Sequence, residues 1–144
     1  MRDFDYPARL TTERGGGFTV RFRDLPEAIT CGESREDSVA QGSDCLAEAI
    51  ACRITDGLEI PPPSAPRGRE ALISLPAPMA AKAALYVAIQ ETGMSKIQLA
   101  RRLALDEKEI RRLLDPRHST RLARIQEVLT ALGKRLVMRL ENAA

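Results

Sequence analysis

Lys108, Arg111 and Arg112 are the residues of this chain whose types and placement suggest recognition chemistry. They stand in MSKIQLARRLALDEKEIRRLLD, Met94 to Asp115, where apolar or small residues at Leu99, Ala100, Leu103, Leu105, Ile110 and Leu113 have the spacing that two crossed helices need to bury a shared face. The three cations fall at positions left over for solvent or a ligand, where they could meet phosphates or the acceptor edge of guanine in a major groove. Lys96, Arg117 and Arg121 are expected to anchor phosphates. His118, the lone histidine, lies between those two arginines and reads as a phosphate contact or a turn residue rather than a catalytic base.

Charge supports a polyanionic partner for this half. Residues 94–124 hold nine Lys plus Arg against four acids, for +5. Across the chain, residues 1–60 hold 7 Arg and 12 acids (−5), and residues 61–144 hold 15 Lys plus Arg and 8 acids (+7). Two halves of opposite sign imply different partners, nucleic acid for the basic half and a basic protein for the acidic one. A generic pair of helices with solvated arginines is the bland alternative, and charge clustering on the motif argues against it.

Catalytic chemistry is poorly supported. The sequence has no nucleophile elbow, P-loop, metal-binding helix or dinucleotide fingerprint, and Gly15-Gly16-Gly17 lacks the following helix that would make it a phosphate cradle. A two-metal nuclease built from the scattered acids is a remote alternative. No enzyme activity, metal or other cofactor is expected. Cys31, Cys45 and Cys52 form no CxxC pair and are expected to be reduced, buried small hydrophobes. With no apolar run of about 18 residues and two acids near the start, neither a membrane span nor a signal peptide is expected, and the cytoplasm is the default.

The elements that position these residues can be read in order. Phe4–Thr12 and Gly17–Arg23 flank Glu13-Arg14-Gly15-Gly16 as a hairpin, with Phe18, Val20 and Phe22 toward a core. Ala28–Gly32 supplies a third strand, with Ile29 and Cys31 on one face. Ser34 caps a long helix carrying Val39, Leu46, Ala49, Ile50 and Ile54 and ending near Gly57. Ile60-Pro61-Pro62-Pro63-Ser64 is a connecting spacer, Glu70–Leu75 a fourth strand, and Pro76-Ala77-Pro78 a linker. An alanine-rich helix then runs from Met79 to Thr92, with Ala81, Leu85, Ala88 and Ile89 as its buried stripe. Ser95 with Gln98 and Asp106 with Glu109 are capping boxes for the next two helices. Ser119 or Thr120 is expected to cap a last helix through Leu132, and Lys134–Glu141 alternates as a lone strand. That strand is expected to pair with its counterpart in a second molecule, making a homodimer whose two-fold axis suits a palindromic site; packing back on its own domain is the alternative.

Taken together, GGGFTVRFRDLPEAITCGES, the long helix after it, IPPPS, QLARRL, EIRRLLDPRHSTRLARI and ALGK resemble the HicB antitoxins of the helix-turn-helix type, from bacterial type II toxin-antitoxin pairs. The resemblance covers nearly the whole chain. It departs from the commoner helix-turn-helix pattern at Lys96, where glutamine is frequent, and at Ala104, where glycine is frequent. The implied fold is α+β: residues 1–75 a small antiparallel sheet with one long helix, similar to a partial ribonuclease H-like fold without that activity, and residues 76–144 an all-α helix-turn-helix domain with a C-terminal strand. The resemblance further implies a HicA-type mRNA-cleaving toxin as partner of the first domain and operator DNA as partner of the second; the homodimer expected through the C-terminal domain leaves a higher toxin-antitoxin assembly open. A ligand-responsive transcription regulator with a small sensor domain is the alternative. No residue is assigned to toxin contact.

Overall fold

The computed structural model describes residues 1–143. Strands β1 (Asp5–Thr12), β2 (Phe18–Phe22), β3 (Ile29–Gly32) and β4 (Ala71–Ser74) form one antiparallel sheet in the order β3-β2-β1-β4. Helix α1 (Arg35–Thr55) packs on one face of it, and α2 (Ala77–Thr92), α3 (Lys96–Leu103), α4 (Glu107–Leu114) and α5 (Leu122–Ala131) follow. The fold is mixed α+β, a sheet with its helix followed by a run of helices.

Alternation sorts the strands as their sequence requires. Tyr6 and Ala8 on β1, Val20 and Phe22 on β2 and Ile73 on β4 are buried on the α1 side, with Ala8 opposite Phe22 and Tyr6 opposite Ile73. The hairpin turn needs glycine, because Gly16 and Gly17 adopt φ of +91° and +81°. Helix α1 contributes Leu46, Ala49, Ile50 and Ile54 to the same core, and its N-cap Ser34 accepts from the Asp37 amide at 3.0 Å. A Cβ on Gly42 would lie 2.7 Å from Ile73 Cδ1, so this glycine lets the helix sit close on the sheet.

The cysteines depart from expectation. Cys31 and Cys52 are exposed and Cys45 is half-buried. Ile29 and Cys31 do share a face of β3, but that face is the outer one, opposite Arg21 and Thr19. On α1 the buried line runs through Ser38, Gly42, Leu46, Ala49, Ile50 and Ile54, so Cys45 and Cys52 fall on its flank. Partial burial pushes the Cys45 thiol pKa up, away from thiolate chemistry.

The proline segment is pinned rather than free. Tyr6 Oη donates to Pro61 O at 2.7 Å, Asp24 accepts from the Ser64 amide and hydroxyl at 2.8 and 2.6 Å, and Ile60 is buried. Arg23 donates to both Glu70 oxygens, at 3.2 and 2.8 Å, and to Ala65 O at 2.9 Å. That hydrogen-bonded pair holds the Glu70 carboxyl down to about 2. The strap thereby guides the chain from α1 back to the sheet edge as β4.

Helix α2 starts at Ala77, two residues before the expected Met79, with Pro78 in its first turn, where a missing N–H is harmless. It has two buried faces. Ala83 and Tyr86 belong to the sheet core, and Ala81, Leu85, Ala88 and Ile89 to a second core with Leu99, Ile110, Leu113, Ile125, Val128 and Leu129. Only the second face was legible as a stripe in the sequence. Residues 134–143 form no ladder with any strand of the described chain. An alternating segment needs a partner strand to become one; here Leu136 packs instead against the helical core and Lys134 pairs with Glu91 at 2.6 Å.

Candidate nucleic-acid interface

The two helices of the basic motif start as their capping boxes dictate. Ser95 accepts from the Gln98 amide while Gln98 accepts from the Ser95 amide, and Asp106 with Glu109 repeats the arrangement. Between them, α3 ends in a Schellman turn: the Leu105 amide donates to Ala100 O at 3.0 Å and the Ala104 amide to Arg101 O at 3.3 Å. Ala104 sits there at φ 52°, ψ 43°, and it is the one non-glycine residue with positive φ among the described residues. The left-handed turn that glycine commonly supplies is therefore made by alanine, against the steric preference of its Cβ.

Helix α4 is two turns long and buries only Ile110 and Leu113. Its 3.6-residue period places Lys108, Arg111 and Arg112 on the side away from those two. The three cations line one shallow surface depression together with Asp115. All are exposed, and among the described residues none of the three forms an ion pair. An exposed, unneutralised row of cations on one helix face can meet phosphates or guanine acceptors.

The other four residues expected at the site lie outside that depression. Lys96 is exposed at the first position of α3, and His118 and Arg121 are exposed in the segment from α4 to α5. Arg117 is committed elsewhere: its guanidinium makes two hydrogen bonds to Glu48 of α1, at 3.3 and 3.0 Å. The pairing lowers the Glu48 pKa and raises that of Arg117. Arg117 could reach a phosphate only by exchanging one anion for another. Neither Ser119 nor Thr120 caps α5, whose N-cap is Arg121 with no side-chain bond.

The reason lies in a residue that sequence reasoning passed over. Lys82 of α2 is 6% exposed, and its Nζ donates to Arg112 O at 3.1 Å, Leu113 O at 3.2 Å and Thr120 Oγ1 at 2.6 Å. Thr120 is thus engaged as an acceptor for Lys82 instead of as a cap. Burial lowers the Lys82 pKa, opposed by the nearby Asp115 carboxylate. The available signal was its context, a single cation inside the apolar run MAAKAAL. No three His, Cys, Asp or Glu residues among the described residues are grouped as a metal ion would need. No helix among them is long and apolar enough to cross a membrane.

Comparisons with known proteins bear on the whole chain. The family model described as HicB_like antitoxin of bacterial toxin-antitoxin system matches residues 5–84. Antitoxin HicB 2 of Photorhabdus laumondii is 38% identical over 135 residues, covering 94% of this chain and 95% of that protein. Antitoxin HicB 1 of the same organism is 31% identical over 141 residues, covering 98% and 90%. Antitoxin HicB of Escherichia coli K12 is 34% identical over 131 residues, covering 91% and 95%.

The geometry of the turn makes one stability prediction. Ala104→Gly should raise stability by about 0.5–1 kcal/mol, because relief of a left-handed alanine, ~1–2 kcal/mol, exceeds the added freedom of glycine in the unfolded chain. Urea denaturation checks it: the midpoint should rise with an unchanged m value.

Proposed function

Because the chain belongs to the HicB-like antitoxins of bacterial toxin-antitoxin systems, we propose that it neutralises a HicA-type mRNA-cleaving toxin by binding it and represses its own operon by binding operator DNA. The observation that carries the second role is the unpaired row of Lys108, Arg111 and Arg112 on the solvent face of α4. Within this reading α4 enters the major groove, and Lys96, His118 and Arg121 position the duplex through its backbone. Arg117 joins them where phosphate displaces Glu48.

Residues 1–75 are the proposed toxin-binding half and residues 76–144 the DNA-binding and dimerising half. The first half carries the excess of acids, which favours a basic partner such as an RNA-binding toxin. An acidic surface on the toxin's RNA-binding face inhibits by occlusion, so the antitoxin needs no reaction of its own. The cytoplasm, where the mRNA and operator are found, is the proposed compartment.

Dimerisation is proposed through the C-terminal arm. Val137, Met138 and Leu140 are exposed, Leu140 at 99%, and the arm frames an open cleft of about 1280 Å³ with α2, α5 and the N-terminal residues. Pairing of this alternating segment with its counterpart would satisfy its backbone groups, set Met138 and Leu140 beside their counterparts on one face of the ribbon, and relate two reading helices by a two-fold axis.

Three outcomes are expected. Co-expression with a HicA-type toxin from the same genome should restore growth and yield a co-purifying complex; continued toxicity, or no complex, overturns the antitoxin role assigned here. Arg111→Ala or Arg112→Ala should weaken operator binding by roughly 1–3 kcal/mol, whereas Arg121→Ala should weaken binding to all sequences and reduce the salt slope by about one. An unchanged operator affinity in the double Arg111/Arg112 variant removes the recognition role. Deletion of residues 134–144 should give a monomer by sedimentation, and a persistent dimer places the interface elsewhere.

A further inference from the structure

We propose that Lys82 is a positioning residue for DNA recognition, fixing the orientation of α4 and hence the discrimination between operator and other DNA; this rests on the DNA-reading role proposed above. Helix α4 has two buried apolar anchors, Ile110 and Leu113, with the partly buried Leu114 packed beside them. All three lie on one side of the helix, and apolar contact, being non-directional, fixes its rotation and tilt less sharply than directed hydrogen bonds at its end. A polar attachment at that end adds the missing constraint. Lys82 supplies it at the C-terminal end of the helix.

The chemistry suits a lysine. Its three donors meet three acceptors: Arg112 O, Leu113 O and Thr120 Oγ1. Two of these are carbonyls in the last turn of α4, at its negative dipole end; Arg112 O also accepts from the Asp115 amide at 3.3 Å, and its second lone pair serves Lys82. One belongs to Arg112, whose side chain lies on the candidate reading face. The peptide unit that carries a reading side chain is thus hydrogen-bonded from behind. The third acceptor ties in the segment that leads to α5 and carries Arg121. Among the described residues Lys82 is the one charged side chain in the buried class. It also stands on the helix that enters both cores, so α4 is referred to the most constrained element of the chain.

A role in positioning differs from a role in holding charge against phosphate. Lys82 is buried, so its loss should leave nonspecific, salt-dependent binding intact while blurring base readout, which requires correct geometry. The test measures binding of the full chain to DNA from its own promoter and to a scrambled duplex of equal length, across a salt series. Wild type, Lys82→Met and Thr120→Val are compared, with circular dichroism melts for each. Lys82→Met keeps an unbranched side chain of similar volume and removes all three donors. Thr120→Val keeps the shape and removes one acceptor, so it carries the test should Lys82→Met fail to fold.

The expected result is a fall in the promoter-to-scrambled affinity ratio of about tenfold or more for Lys82→Met, the discrimination carried by a single good base contact, and a smaller fall for Thr120→Val. The affinity for scrambled DNA and its salt slope should match wild type. A ratio unchanged in the folded variants overturns the positioning role. Equal losses on both duplexes overturn it too, assigning Lys82 to stability alone. If wild type itself does not discriminate between the duplexes, the DNA-reading role fails instead, and this inference with it.

Discussion

Helix α2 is the constraint on which the rest of the structure depends. One face, through Ala83 and Tyr86, completes the core of the sheet, and the other, through Ala81, Leu85, Ala88 and Ile89, completes the core of the small helices. Neither core is closed without it. Its alanines let neighbouring elements approach its backbone closely, so it can serve two sides within the width of one helix. The cost is that little of its surface remains to carry polar groups, and Lys82 is accommodated only because three acceptors converge on it.

The division of charge between the halves takes physical form in the pairing of Arg117 with Glu48. An arginine that follows the basic helix α4 reaches an acid on α1, across the junction between the two parts of the chain. The pair is exposed and contributes little to stability. Its consequence is competitive: an anion arriving at Arg117 must displace Glu48. By contrast, the cations of α4 have no such partner among the described residues, which makes that face the better candidate for polyanion contact.

Most of the architecture was legible in the sequence because its signals are local. Alternation at Phe18, Val20 and Phe22, the caps at Ser34, Ser95 and Asp106 and the helix stop at Gly93 each depend on neighbours within a few residues, and the elements begin and end close to where those signals stand. What escaped depends on contacts between distant residues. Whether Cys31 faces inward is decided by the side of the sheet on which α1 packs, not by the strand itself. Thr120 looks like a cap until Lys82, thirty-eight positions earlier, takes its hydroxyl. Arg117 looks free until Glu48, sixty-nine positions earlier, is brought alongside. The face of Lys108, Arg111 and Arg112 was legible because helical periodicity alone determines it, whereas the C-terminal segment reads as a strand whose partner, if it forms a ladder, must come from outside the described chain.

The proposed DNA-reading role of α4 stands or falls most directly on a footprint. The full chain would be titrated against DNA from upstream of its own gene and probed by nuclease protection at physiological salt. A dimer that reads DNA through α4 should give a discrete protected window containing two half-sites related by a two-fold axis, appearing at concentrations that leave a scrambled duplex accessible. Protection spread evenly over any duplex, or none at all, would contradict it.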